Sequence, residues 1–116
     1  MENIIFVKSK SFALRIIKLY KYLTDIKKEF VISKQILKSG TSIGANVKEA
    51  IRGQSKPDFY SKMGIALKEA SETEYWLEIL KESDFIDDKM FESIYSDCQE
   101  IIKILVSITK TQNLNV

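Results

Sequence analysis

Four glycines and a single proline are spread over 116 residues, and this shortage of turn formers constrains the fold more than any other feature. A sandwich or barrel needs a turn roughly every ten residues, and long helices do not. The lone proline also sits where a helix starts. Ser55-Lys56-Pro57-Asp58 places a hydroxyl cap, a proline in the first turn and an acid three residues after the cap. Proline costs nothing there because its missing N–H would have no intrahelical acceptor.

Apolar spacing fills in the rest. Phe12, Ile16, Leu19, Tyr20 and Leu23 recur every three or four residues, one face of a 3.6-residue period, and predict a first helix over about 8–25. Ser9 or Ser11 is the expected cap, and Lys27-Lys28 suits the negative pole at its end. The second helix is expected over about 32–53, with Ile36, Ile43, Val47 and Ala50 inward. It carries Gly40 and Gly44, each costing about 1 kcal/mol against alanine. Four residues apart, they strip one side of bulk, which predicts either close approach of another helix or a break. The third helix is expected over 56–82, with Phe59, Met63, Ala66, Leu67, Ala70 and Leu77 inward. After a short connection Asp87 caps a fourth over 87–111, with Met90, Ile94, Cys98, Ile101, Leu105 and Ile108 on one face. Four helices on short connections predict an all-α, antiparallel, up-down-up-down four-helix bundle occupying 1–116 as one domain.

No run approaches the roughly eighteen apolar residues of a membrane span, and residues 1–7 lack a basic leader region. The single cysteine cannot form an internal disulfide, so a cytoplasmic location and no membrane partner are expected. Net charge is only +2, yet residues 1–62 hold 13 Lys/Arg against 5 acids, and residues 63–116 hold 5 against 11. Such asymmetry marks a nucleic-acid surface, or it places basic and acidic helices side by side or subunits head to tail.

The helices carry more apolar surface than one core uses. Leu14, Ile17, Tyr75, Trp76, Tyr95 and Ile102 fall outside or beside the core stripes and are expected at an oligomer interface. Trp76 has the alternative of closing the end of the bundle. A polar stripe adjoins the core face of the second helix, and Ser42, Asn46, Glu49, Glu69 and Glu72 form either an inter-helix network or a solvated face. Catalysis finds little support. The chain has no histidine, hence no Glu-x-x-His pair and no Ser/His/Asp set. Gly40-Thr41-Ser42-Ile43-Gly44 lacks the lysine of a phosphate-binding loop. Neither an enzyme activity, a cofactor nor a metal is expected.

The segment Gln35-Ile36-Leu37-Lys38-Ser39-Gly40-Thr41-Ser42-Ile43-Gly44-Ala45-Asn46-Val47-Lys48-Glu49-Ala50 resembles a bacterial family. So do Ser55-Lys56-Pro57-Asp58-Phe59, Ile65-Ala66-Leu67-Lys68-Glu69-Ala70 and Glu72-Thr73-Glu74-Tyr75-Trp76-Leu77. Together they are similar to the four-helix-bundle proteins encoded in intervening sequences of bacterial 23S rRNA genes, over a span from Lys10 to about Leu105. The resemblance implies a four-helix protomer in a barrel-like homopentamer. It also implies kinship with the accessory variability proteins of diversity-generating retroelements, which bind nucleic acid and partner a reverse transcriptase. It carries over no catalytic residues.

These readings converge on a non-enzymatic, oligomeric accessory protein that binds nucleic acid, RNA foremost, through Lys8, Lys10, Arg15, Lys18 and Lys21 of the first helix. Phosphate contacts there would be sensitive to salt and indifferent to sequence. The rival is a protein–protein scaffold whose charge asymmetry serves assembly, with no nucleic-acid ligand.

Overall fold

The computed structural model describes residues 3–114, with side chains as far as Thr111, and within that range the chain forms four helices: α1 Ile4–Asp25, α2 Ile32–Ile51, α3 Lys56–Glu82 and α4 Asp88–Leu114. The first helix starts a full turn earlier than its periodicity predicts. Its cap is Asn3, whose side-chain oxygen accepts from the backbone N–H groups of Ile5 and Phe6 at 3.1 and 3.3 Å. Ser9 is no cap but a buried residue inside the helix, its hydroxyl donating to the Phe6 carbonyl. The early start brings Ile5, 1% exposed, into the core; burying such a side chain is worth about 2 kcal/mol, enough to set the boundary.

Ser55 and Asp87 cap the two later helices. Ser55 Oγ accepts from the Asp58 N–H at 3.2 Å, and Asp87 Oδ1 from the Met90 N–H at 2.8 Å. The start of α2 is held differently. Glu29 folds back so that its carboxylate accepts from the N–H groups of Val31, Ile32 and Ser33 at 3.1, 2.9 and 2.6 Å. Three donors that would otherwise lack partners share one buried anion. Burial by itself pushes this carboxyl upward, but the hydrogen bonds from Ile32, Ser33 and Val31 outweigh it and hold the group below its ordinary value of 4.5.

α2 runs unbroken through both glycines. A Cβ on Gly40 would sit 2.7 Å from Ile16 Cγ1, and one on Gly44 would sit 3.4 Å from the Ser9 backbone. Close approach of α1 is therefore the reason for the pair. The packing order follows the chain, each helix against its sequence neighbours, with α1 closing less extensively onto α4. Cross-helix partners establish direction. Ile16 meets Gly40 while Ser9 meets Gly44; Ser39 meets Thr73 while Glu49 meets Lys62; Glu78 meets Tyr95 while Tyr60 meets Thr111. In each pair of helices residue numbers rise on one as they fall on the other, so neighbours are antiparallel. The bundle measures 48 × 25 × 21 Å, its length somewhat more than the roughly 40 Å of one 27-residue helix rising 1.5 Å per residue. Among the described residues no helix is long and apolar enough to cross a membrane.

Candidate nucleic-acid interface

The five cations of α1 divide into two groups. Lys8 pairs with Glu100 of α4 at 2.8 Å. Arg15 pairs with Asp97 at 2.6 Å and donates to the Ser93 carbonyl and hydroxyl at 3.2 and 2.8 Å. These two close the seam between α1 and α4, where they are half-buried and already neutralised. Of the five residues expected to contact phosphate, Lys8 and Arg15 are therefore already occupied by acids of the same chain. Lys10, Lys18 and Lys21 remain exposed and without an ion pair.

A larger basic surface lies on the outer side of the α1–α2 hairpin. Lys10 and Lys21 of α1, Lys27 and Lys28 of the connection, and Lys34, Lys38 and Lys48 of α2 are all exposed. None has an ion-pair partner among the described residues. At about 100° per residue, Lys34, Lys38 and Lys48 fall within an arc of roughly 80° opposite the core residues Ile36, Ile43 and Val47. Lys10 and Lys48 flank one groove between the helices, floored by Ala13, Thr41, Gly44 and Ala45. The acids of this hairpin do not compensate. Glu29 is turned inward, and Glu49 reaches across to Lys62 of α3 at 3.4 Å. Only Asp25 stays exposed and unpaired. Lys34, Lys38 and Lys48 are not among the five cations expected from α1, although their i, i+4, i+14 spacing places them on one side of α2.

The polar stripe is not assembled into a network. Ser42 Oγ donates to the Lys38 carbonyl and Asn46 Nδ2 to the Ser42 carbonyl, both within α2. Glu72 accepts from the Trp76 indole N–H at 3.1 Å, and the side chain of Glu69 is only partly buried. Exposure explains this, since groups able to bond water or their own helix gain little by crossing. The buried polar contact between α2 and α3 lies elsewhere, Thr73 Oγ1 to Ser39 Oγ at 2.8 Å. Among the described residues no group of three His, Cys, Asp or Glu is placed to hold a metal ion.

The six residues expected at an oligomer interface are distributed over three helices. Leu14 is 58% and Tyr75 53% exposed. Ile17 is half-buried, and Trp76, Tyr95 and Ile102 pack against the core edge. Tyr95 stacks on Phe91 at 4.5 Å and donates to Glu78 at 2.6 Å; that hydrogen bond, then burial, pushes its hydroxyl up to about 12. Burial likewise pushes the Cys98 thiol up to about 12, which keeps it protonated. Leu14 has apolar neighbours beyond those six: Ile4, Val7 and Ile51 are also exposed, and Val7, Leu14 and Ile51 help line an open cavity of about 550 Å³ with Phe6 and Lys10.

A family model described as "23S rRNA-intervening sequence protein" matches residues 1–107. The chain belongs to that family. A crystal structure of a protein of unknown function from the S23 ribosomal protein family of Bacteroides thetaiotaomicron superposes with a TM-score of 0.90 at 57% identity. The match covers 91% of this chain and 98% of that one. No curated protein matches. The family and the neighbour thus agree with the resemblance carried by the α2 and α3 motifs.

Proposed function

We propose that this 23S rRNA-intervening sequence protein is a non-enzymatic, nucleic-acid-binding accessory protein that takes RNA along the outer face of its α1–α2 hairpin. One observation carries the reading: seven exposed lysines without ion pairs share that face, where Asp25 is the only exposed, unpaired acid. Lysines so placed neutralise phosphates and release counterions, giving affinity that falls steeply with salt and reads little sequence. Self-association, pentameric by family resemblance, would multiply such faces on one particle. Its support is the exposed apolar set Ile4, Val7, Leu14 and Ile51, which water leaves unsatisfied in a lone bundle.

The test is fluorescence anisotropy of the purified protein against structured RNA, single-stranded DNA and duplex DNA at low and physiological salt. Micromolar or tighter binding that weakens with salt is expected, with a shallower salt slope in Lys34→Glu/Lys38→Glu. Absence of binding at low salt would overturn the reading. The same apolar set would then favour the second one, a protein–protein scaffold.

A further inference from the structure

The connection between α1 and α2 carries an apolar tip inside the basic surface. Ile26, Phe30 and Val31 are 68%, 55% and 72% exposed within six residues of chain, and Lys27 and Lys28 stand between them. A soluble chain has reason to avoid such a cluster, and nothing in the local fold requires it. The backbone beneath it is built to stay put. The Glu29 N–H donates to the Leu23 carbonyl at 2.9 Å, its carboxylate holds three N–H groups of the next helix, and Lys28 takes a left-handed φ of 55°. The tip is thus a pre-ordered platform, so a ligand docking on it spends little free energy on ordering the loop.

Charge selects the occupant. Lys27 and Lys28 in the tip, with Lys21 and Lys34 about one helical turn away on either side, are exposed and unpaired. A partner must therefore present negative charge and a flat apolar surface together, at a spacing of a few ångströms. Unpaired nucleotides have that chemistry, with a phosphate beside each π-face. A duplex does not, because its base faces are closed inside the stack. Resting on the nucleic-acid reading above, we infer that the Ile26–Val31 tip is a stacking platform for unpaired bases, with Phe30 the stacking ring, so that this protein prefers single-stranded or looped RNA over duplex.

The experiment compares the whole protein with Phe30→Ala, Phe30→Trp and Lys34→Glu/Lys38→Glu, on a labelled single-stranded 20-nucleotide RNA and on the duplex of the same length. Phe30 is exposed, so its variants should melt as the parent does. Phe30→Ala is expected to weaken single-strand binding about tenfold and duplex binding less than about twofold, with Phe30→Trp retaining the parent affinity. If Phe30→Ala binds both RNAs as the parent does while the lysine reversal weakens both, the basic face stands and the platform is wrong. If the parent binds neither RNA at low salt, the nucleic-acid reading fails first. Two other results would also overturn the platform. One is loss of binding to phosphatidylserine vesicles in Phe30→Ala with RNA affinity unchanged, which assigns the tip to a lipid surface. The other is a changed oligomer in sedimentation velocity, which assigns it to a second copy of this chain.

Discussion

The two hairpins of the bundle share one architecture and dispose of their charges in opposite ways. On α3–α4 several polar groups are held by contacts within the hairpin: Tyr95 to Glu78, Trp76 to Glu72, Lys81 to Asp88 and over the Phe91 ring. Acids of α4 also reach out to hold Lys8 and Arg15. On α1–α2 the glycine pair lets the backbones close tightly, and the lysines are left outside with no counter-charge. The net asymmetry of the sequence is thus only partly absorbed within the fold. Seven of the lysines that α4 does not neutralise lie along the α1–α2 hairpin, which is how a chain of modest net charge presents a strongly basic surface.

The comparison breaks most visibly if the lysines are reversed. Lys34→Glu/Lys38→Glu/Lys48→Glu is expected to lower RNA affinity by about two orders of magnitude at physiological salt. The same number of reversals on α3–α4, at Glu82, Asp88 and Glu92, should leave it equal or stronger, and anisotropy titrations of both triples decide. Next in size is the inter-helix contact itself. Gly40→Val pushes a side chain into Ile16 and should cost about 1–3 kcal/mol in denaturant unfolding, against little for a valine at Gly64, where a Cβ meets nothing within 4 Å.

A smaller effect belongs to the cap of α2. Glu29→Gln should cost about 1 kcal/mol at pH 7. Because the folded carboxyl lies below its unfolded value of 4.5, its stabilisation is complete above that value and is lost as pH falls through the folded one. Parent and variant melting curves should therefore converge in acid. The smallest effect sharpens the division within α1. Lys8→Ala and Arg15→Ala remove partly exposed ion pairs and should each cost under about 1 kcal/mol. RNA affinity should change by less than about twofold, and a larger loss would return the phosphate site to the α4 side of α1.

Much of this was written in the chain. Periodicity, the scarcity of turn residues and the Ser55-Lys56-Pro57-Asp58 start are local signals, and a helix obeys them wherever its apolar face finds a partner. The same holds for Ile36, Ile43, Val47, Met63, Ala70, Cys98 and Leu105, buried as their spacing required. The start of α1 departs from its periodicity because its cap is an asparagine two residues before Ile5, and Ile5 belongs to the core only once α1 packs against its neighbours.

The candidate site needed more than spacing. Whether a lysine is free or paired depends on which acid a different helix sets beside it, and Lys8 and Lys10 look alike in sequence although only Lys8 meets Glu100. Nor could spacing tell that Ser39, rather than Ser42, finds a hydroxyl on α3, or that Glu29 turns inward and leaves the basic surface uncompensated. Sequence by itself determined four helices, their inward faces and the uneven charge. Only the tertiary structure decided which charges cancel, because electrostatic pairing acts over a few ångströms between residues far apart in the chain, and that distance is set by packing.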